Sequence, residues 1–517
     1  MKKVKIITSY EAARLVQDND TFTSIGFVGS AHPEALTKAL ERRFLETGQP
    51  RNITYMYAGS QGNRDGRGAE HLAHEGLIKR AIIGHWDTIP QMAKLAVENK
   101  IEAYNFSQGT LCHWFRALAG GKLGVFTDIG LETYLDPRQD GGKLNSRTTE
   151  DLVQLLQING QDQLFYPCFP VNIAFLRGTY ADEHGNITME EEIVPLENTS
   201  VAQAVKNSGG IVVVQVKRVV SGGDLDPRLV KIPGIYVDAV VVAEEKDHQQ
   251  SFDCAYDPTL SGQCRNPFIA ANAMMPLNAK KIIGRRAALE LTNGAVANLG
   301  VGAPEYVALV AAEEGIADSI TLTVEGGAIG GVPQGGARFG ASMNPEALID
   351  HPYQFDFYDG GGLTMAFLGL AQCDRTGSIN VSKFGTHIAG CGGFPNIAQK
   401  TKQVYFCGTF TAGGLKIAIK DGALQILQEG KMKKFVKNVD QITFSGPYAA
   451  RQQRRVFYIT ERCVFELTAA GLHLLEVAPG IDVKRDILDQ MEFTPIIDTY
   501  KTMNIKIFAE ALMGLKK

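Results

Sequence analysis

Residues 320–330 read ITLTVEGGAIG, and residues 53–62 read ITYMYAGSQG. Each opens on a run of β-branched and aromatic residues and passes directly into glycines. Such a run is long enough for one buried strand, and glycine is the residue that lets the chain turn tightly after it. Continuous apolar runs recur as IVVVQV (211–216), YVDAVVVA (236–243) and VYFCGTF (404–410). Runs without polar alternation fit strands covered on both faces, as in parallel sheets packed between helices. Amphipathic stretches separate them, and Thr8-x-x-Glu11 forms a capping box ahead of the expected helix SYEAARLVQD (9–18). The fold class is α/β.

Two further pairs of segments echo each other in the same order. SIGFVGSAHPEALTKAL (24–40) matches NLGVGAPEYVALVA (298–311), and YNFSQGTL (104–111) matches FDFYDGGGL (355–363). Three pairs in register argue for duplication of one α/β domain. A chain of 517 residues is also too long for a single ordinary domain. Residues 244–278 are polar, rich in turn formers and aperiodic, and a helix restarts at AKKIIGRRAALEL (279–291). The expected organisation is therefore a domain over 1–245, a linker over 246–278 and a domain over 279–517.

Composition excludes several classes. A net charge of −4 suggests neither a nucleic-acid nor an anionic-membrane partner. No uncharged apolar run approaches the roughly 18 residues of a membrane span, and the MKKVKII start lacks the apolar core of a secretory signal. The eight cysteines form no CxxC pair, so no metal site and no disulfide framework is expected. These features together give the expectation of a cytoplasmic protein.

The chemistry-bearing candidates cluster at glycines. Glu325 follows the ITLTV strand and precedes Gly326 and Gly327, and in the duplicate its place is taken by Ala58. No basic residue lies within twelve positions of Glu325 on either side. A carboxylate so placed suits a general base or a nucleophile, or is simply an acid at a loop start. The turn Gly300-Val301-Gly302-Ala303-Pro304 opens a helix and could present backbone N–H groups to an anion, or be a bare strand–helix turn. IAGCGGFPNI (388–397) offers the N–H groups of Gly392 and Gly393 to an oxyanion, and Gln108 offers a neutral amide, although each also reads as an ordinary turn. His71, His74 and His85 form no evident catalytic set. There is no GxSxG elbow, Cys391 lacks an obvious base, and no GxGxxG precedes an acid at dinucleotide-fold spacing.

The segments TVEGGAIGG (323–331), NLGVGAPEYV (298–307), QFDFYDGGGL (354–363), AGCGGFPNI (389–397), YFCGTFTAGGLK (405–416), YITERCVFEL (458–467) and GLHLLEVAPGIDVKRDIL (471–488) resemble the class I coenzyme A-transferases over nearly the whole chain. AGSQGNRDGRGAEHLAHEGL (58–77) and FTDIGLETYLDPRQDGGKLN (126–145) resemble the subgroup acting on short-chain acids, the propionate (lactate) and acetate CoA-transferases. The wider family carries Glu-Asn-Gly where this chain has Glu325-Gly326-Gly327. The resemblance implies two similar open α/β domains with the active site in the cleft between them. It implies Glu325 as nucleophile, with Gln108 and the N–H of Gly393 or Gly392 as oxyanion donors. It places CoA on the turn Gly300–Pro304. CoA would be a substrate and covalent intermediate, with no tightly bound cofactor. Acyl-CoA and short-chain carboxylates would be the partners, and the assembly a homo-oligomer, a tetramer by family habit. An acyl-CoA hydrolase using the same glutamate is the alternative.

Overall fold

The computed structural model describes residues 3–266 and 274–516. The chain forms two compact units. The first comprises Met1–Asn266, Val324–Asp356 and Thr386–Asn396, and the second comprises Pro267–Thr323, Phe357–Gly385 and Ile397–Lys517. This division differs from the contiguous halves expected from the sequence. Two excursions from the C-terminal half, one of them carrying Glu325, belong to the first unit. Residues 246–266 also belong there, held by local bonds such as Phe252 N–H to the Gly29 carbonyl at 2.9 Å. Residues 267–273 of the expected linker lie outside the described residues.

The first unit is built on an 8-stranded sheet in the order Lys5–Ile6, Ala239–Val242, Ile211–Val216, Ile173–Arg177, Thr21–Ser24, Ile53–Tyr57, Ile78–Ile83 and Glu102–Asn105. All its pairings are parallel. Ile173–Arg177 is buried along its whole length, as both-face cover requires. Phe22 stands opposite Tyr55 in register, and its ring meets Tyr55 at 5.3 Å and Phe175 at 5.0 Å edge-on, which fixes the sheet's centre. The capping box is present: Thr8 Oγ1 accepts from Glu11 N–H at 3.2 Å, and Glu11 accepts from Thr8 N–H at 2.8 Å. The helix it opens, Ser9–Ala13, is shorter than the sequence suggested. The turn formers of QDND, which compete for local hydrogen bonds, follow within a turn.

The second unit has a parallel run ordered Ile320–Thr323, Ala295–Leu299, Met365–Gly369, Gln403–Cys407 and Arg455–Ile459. An antiparallel hairpin, Cys463–Thr468 with Gly471–Val477, extends it. Phe367, Tyr405 and Phe457 stand directly opposite one another on successive strands. Their rings stack at 4.8 and 5.4 Å, and this aromatic ladder anchors the unit's core.

Strand order supports duplication more firmly than the sequence did. In the first unit Ile53–Tyr57, Thr21–Ser24, Ile173–Arg177, Ile211–Val216 and Ala239–Val242 lie side by side, and in the second their counterparts follow the same order. The first two sequence pairs fall on matching strands. The third does not: Tyr104 ends a strand and Gln108 begins a helix, whereas 355–359 lies inside the helix His351–Asp359. A short aromatic run ending in glycine does not distinguish strand from helix by periodicity, and the true counterpart of Met365–Gly369 is Ile173–Arg177. Among the described residues no helix is long and apolar enough to cross a membrane.

Replacing Phe367 with Ala removes the end ring of a fully buried ladder. The expected cost is about 3–5 kcal/mol of unfolding free energy, read from the denaturant midpoint. A loss below about 1 kcal/mol would mean that the ladder does not carry the core.

Candidate active site

Glu325 sits in a turn, two residues beyond the end of strand Ile320–Thr323. Gly327 N–H donates to the Val324 carbonyl at 3.0 Å and Val324 N–H to the Ala328 carbonyl at 2.8 Å, so the turn is closed on itself. Ala328–Ile329 then pairs antiparallel with Ala347–Leu348. Gly327 has φ +117°, and a Cβ there would overlap the Ile349 carbonyl oxygen. Gly326 is different: a Cβ would meet Val194 and Gly340 at an ordinary 3.5 Å. The last glycine of the motif is thus required by the backbone, and the middle one is not.

A second segment closes over the acid. Gly393 N–H donates to the Glu325 carboxylate, and a Cβ on Gly393 would lie 2.7 Å from Glu325 Oε2. Only glycine allows the carboxylate to approach this backbone. The segment is laid across the ends of two strands of the first unit's sheet. Trp86 and Asp87 N–H groups donate to the Ala389 carbonyl at 2.8 and 3.0 Å, Cys391 N–H to Asn105 Oδ1 at 2.9 Å, and Gly392 N–H to the Gly84 carbonyl at 2.8 Å. Asn105 is itself held by the Ile83 and Gly84 carbonyls and by the Tyr134 hydroxyl.

Gln108 begins the helix Gln108–Ala119, and its backbone N–H donates to the Gly392 carbonyl at 2.9 Å. The next N–H, of Gly109, goes to Asn396 Oδ1 at 3.2 Å. The glycine segment therefore satisfies the first two amides of this helix, which would otherwise be unpartnered. Glu325, Gln108, Gly392 and Gly393 are all part of one compact unit.

Burial pushes the Glu325 carboxyl up to about 7, while the nearby His351 ring and the Gly393 N–H pull it down. Part of the residue's surface stays open. Among the described residues no arginine or lysine acts on it. The sequence showed no cation near Glu325, but the fold brings up a histidine from position 351. Burial also pushes the Cys391 thiol up to about 12, which rules it out as a thiolate nucleophile at neutral pH.

His351 and Glu197 were not singled out by the sequence. They stand 154 positions apart, and no spacing rule joins them. His351 Nε2 meets Gln108 Nε2 at 2.7 Å, and His351 Nδ1 meets Glu197 Oε2 at 2.5 Å. Donor atoms of Cys112, Glu197 and His351 lie within 4.8 Å of one another, a spacing that could suit a metal ion. Both ring nitrogens of His351 are already engaged, however, so the set serves better as a hydrogen-bond relay. His71 and His74, by contrast, belong to a charge network. Both bond Glu41, at 2.6 and 2.9 Å, and His71 also bonds Glu34 at 3.0 Å. His85 lies half-buried beside Gly390 and Gly392, and desolvation brings it down to about 4.

The turn Gly300, Val301, Gly302, Ala303 and Pro304 belongs to the second unit. It leaves strand Ala295–Leu299, and Pro304 caps the helix Glu305–Glu313. Val301 is 62% exposed, and Gly302, at φ +93°, faces open space.

The Coenzyme A transferase family model matches residues 7–243. Acetate CoA-transferase YdiF of Escherichia coli K12 is 43% identical over 522 residues, spanning 99% of this chain and 96% of that protein. Caffeate CoA-transferase of Acetobacterium woodii is 44% identical over 518 residues, spanning 99% and 98%. The crystal structure of the Escherichia coli O157:H7 acyl-CoA transferase YdiF in a thioester complex with CoA matches with a TM-score of 0.94 at 42% identity, covering 99% of this chain and 98% of that one.

The two glycines after Glu325 should respond differently to alanine. Gly327→Ala is expected to cost at least about 1–3 kcal/mol for the strained backbone alone, and Gly326→Ala less than about 1 kcal/mol. Denaturant unfolding of both variants measures this, and equal losses would contradict the turn geometry.

Proposed function

The chain belongs to the coenzyme A transferase family, and from that premise we propose that it moves CoA between short-chain acyl-CoA and short-chain carboxylates through a glutamyl-CoA thioester on Glu325. The observation that carries this reading is the Glu325 carboxylate itself, which among the described residues has no lysine or arginine partner and rests on the Gly393 N–H. A carboxylate without a strong ion pair keeps its electron pair available for attack.

The chemistry balances without water and without a net proton. The Glu325 carboxylate attacks the thioester carbonyl, the C–S bond breaks, and CoA leaves as thiolate. The product is a mixed anhydride. The thiolate then attacks the glutamyl carbonyl of that anhydride, its C–O bond breaks, and the donor acid departs as carboxylate. An acceptor carboxylate enters and runs the two steps in reverse. No step needs a general acid, in keeping with a site that holds no lysine, arginine or thiolate beside the nucleophile. Each attack raises negative charge on a carbonyl oxygen. The Gln108 amide and the Gly393 N–H are the donors assigned to it, in the manner of an oxyanion hole, whereas the Gly392 N–H is already given to the Gly84 carbonyl. Anhydride formation from a thioester is uphill, and binding of the long CoA tail, assigned to the turn at 300–304, supplies energy that can be used at the reacting carbons. Acetate and propionate are the acids first assigned, lactate next. The acetate and caffeate relatives are nearly equally similar, so overall identity alone does not choose among acids.

Intact-mass measurement after adding acetyl-CoA or propionyl-CoA without an acceptor is expected to show a CoA-sized adduct. The adduct should discharge on adding acetate or propionate and be absent in Glu325→Ala. Steady CoA release without an adduct, independent of acceptor, would favour the hydrolase. The pH dependence is a separate test. A carboxyl raised to about 7 is the inert acid below that pH and the nucleophile above it. The rate of adduct formation at low acyl-CoA is therefore expected to rise through about pH 7 and to fall about tenfold per unit below it. A flat profile from pH 5 to 8 would contradict a nucleophile in this environment.

A further inference from the structure

We propose that Glu197 and His351 are positioning residues for CoA transfer, holding the Gln108 side-chain amide so that its remaining N–H is presented to the oxyanion. The inference rests on the reading of Glu325 as the nucleophile and of Gln108 as an oxyanion donor.

The terminal torsion of a glutamine is broad and roughly two-fold, so an unsupported Gln108 could present either its N–H or its oxygen to the site. A presented oxygen would repel a developing oxyanion. The structure removes this ambiguity in three steps. The Gln108 backbone is fixed first, by its bond to the Gly392 carbonyl at 2.9 Å. Its amide nitrogen can only donate, so His351 Nε2, 2.7 Å away, must be the acceptor. The ring proton then sits on Nδ1, where the Glu197 carboxylate accepts it at 2.5 Å. Glu197 thus selects the histidine tautomer, and the tautomer selects the amide orientation.

The relay is also rigid and dry. Gln108, His351 and Glu197 are 2%, 0% and 2% exposed. Hydrogen bonds so shielded are strong, and no water competes for the amide. The His351 backbone N–H donates to the Leu196 carbonyl at 3.1 Å, so the loop before Glu197 grips the histidine at both ends. Phe27 and Phe355 pack on the ring at 5.9 and 5.3 Å. Burying a carboxylate and an imidazole is costly for stability. The arrangement instead fits a catalytic need, because the bonds end on Gln108, the amide assigned to the oxyanion. Besides Glu197, Cys112, on the Glu197 side, and Glu325 are ionisable groups that face the ring.

The test is the single-turnover rate of CoA-adduct formation at saturating acyl-CoA, together with kcat and KM, for wild type, His351→Ala, His351→Gln, Glu197→Ala and Glu197→Gln. Losing an oriented oxyanion donor costs about 10²–10³-fold in rate. His351→Ala is expected to slow adduct formation by about 10²-fold with little change in KM for acyl-CoA, because the histidine is not assigned to the substrate. His351→Gln places an acceptor near the Nε2 position, and Glu197→Gln keeps an acceptor for Nδ1–H. Both should recover most of the rate lost by their alanine counterparts, a rescue that a purely structural role would not show. Thermal unfolding confirms that each variant is folded, and the two glutamine variants, close in volume, keep the test open if the alanine variants are not. Wild-type rates in folded alanine variants, or glutamine variants as slow as their alanine counterparts, would overturn the positioning role alone. Failure of wild type itself to form an adduct would overturn the glutamate reading and this inference with it.

Discussion

The bond from the Gln108 N–H to the Gly392 carbonyl, at 2.9 Å, is the constraint on which the site depends. It joins the start of a helix to a glycine segment that comes from nearly three hundred positions later in the chain. The same segment donates its N–H groups to Asn105 and Gly84 on one side and to Glu325 through Gly393 on the other. Each of these bonds satisfies a backbone group that burial would otherwise leave unpaired, at a cost comparable to the bond itself. The placement of the glutamate against an N–H donor is thus a by-product of closing the sheet's edge and capping a helix.

Electrostatics around Glu325 depend on distance and desolvation more than on the number of charges. Strong ion pairs exist in the first unit, such as Arg177 with Glu192 at 2.9 Å, but none involves Glu325. A carboxylate paired with arginine would be held well ionised and would be a poor nucleophile. One left wholly unpaired in a buried site would stay protonated. Burial opposed by one N–H and one histidine leaves the group near neutrality, where both forms are accessible. The Glu41–His71–Glu34 cluster shows the opposite outcome: two carboxylates around one ring hold the histidine up to about 9 and themselves down to about 2, a stable charge network with no free nucleophile.

Strand identity was legible in the sequence because it is written in short windows. ITYMY and ITLT are strands, and the capping box at Thr8 and Glu11 forms as read. The third repeat pair failed because a five-residue aromatic run carries no decisive period, and His351–Asp359 is a helix. The boundary near 246–278 was also misleading as a guide to compactness. Composition marks where regular structure stops, but it does not say which unit a later excursion will join, and Val324–Asp356 joins the first.

The sequence by itself pointed to Glu325, the Gly392–Gly393 pair and Gln108 as candidates, and of the two glycines after the acid only Gly327 is a requirement of turn geometry. Gly327 and Gly393 could be argued from the chain's need for a positive φ or a close approach, and the structure supplies both. Only the tertiary structure decided what surrounds them. His351 and Glu197 have no sequence signature, since a hydrogen bond between residues 154 positions apart is a property of the chain's path and not of any window along it. The same holds for the raised Glu325 carboxyl: desolvation is the sum of many distant neighbours, and no stretch of residues encodes it alone.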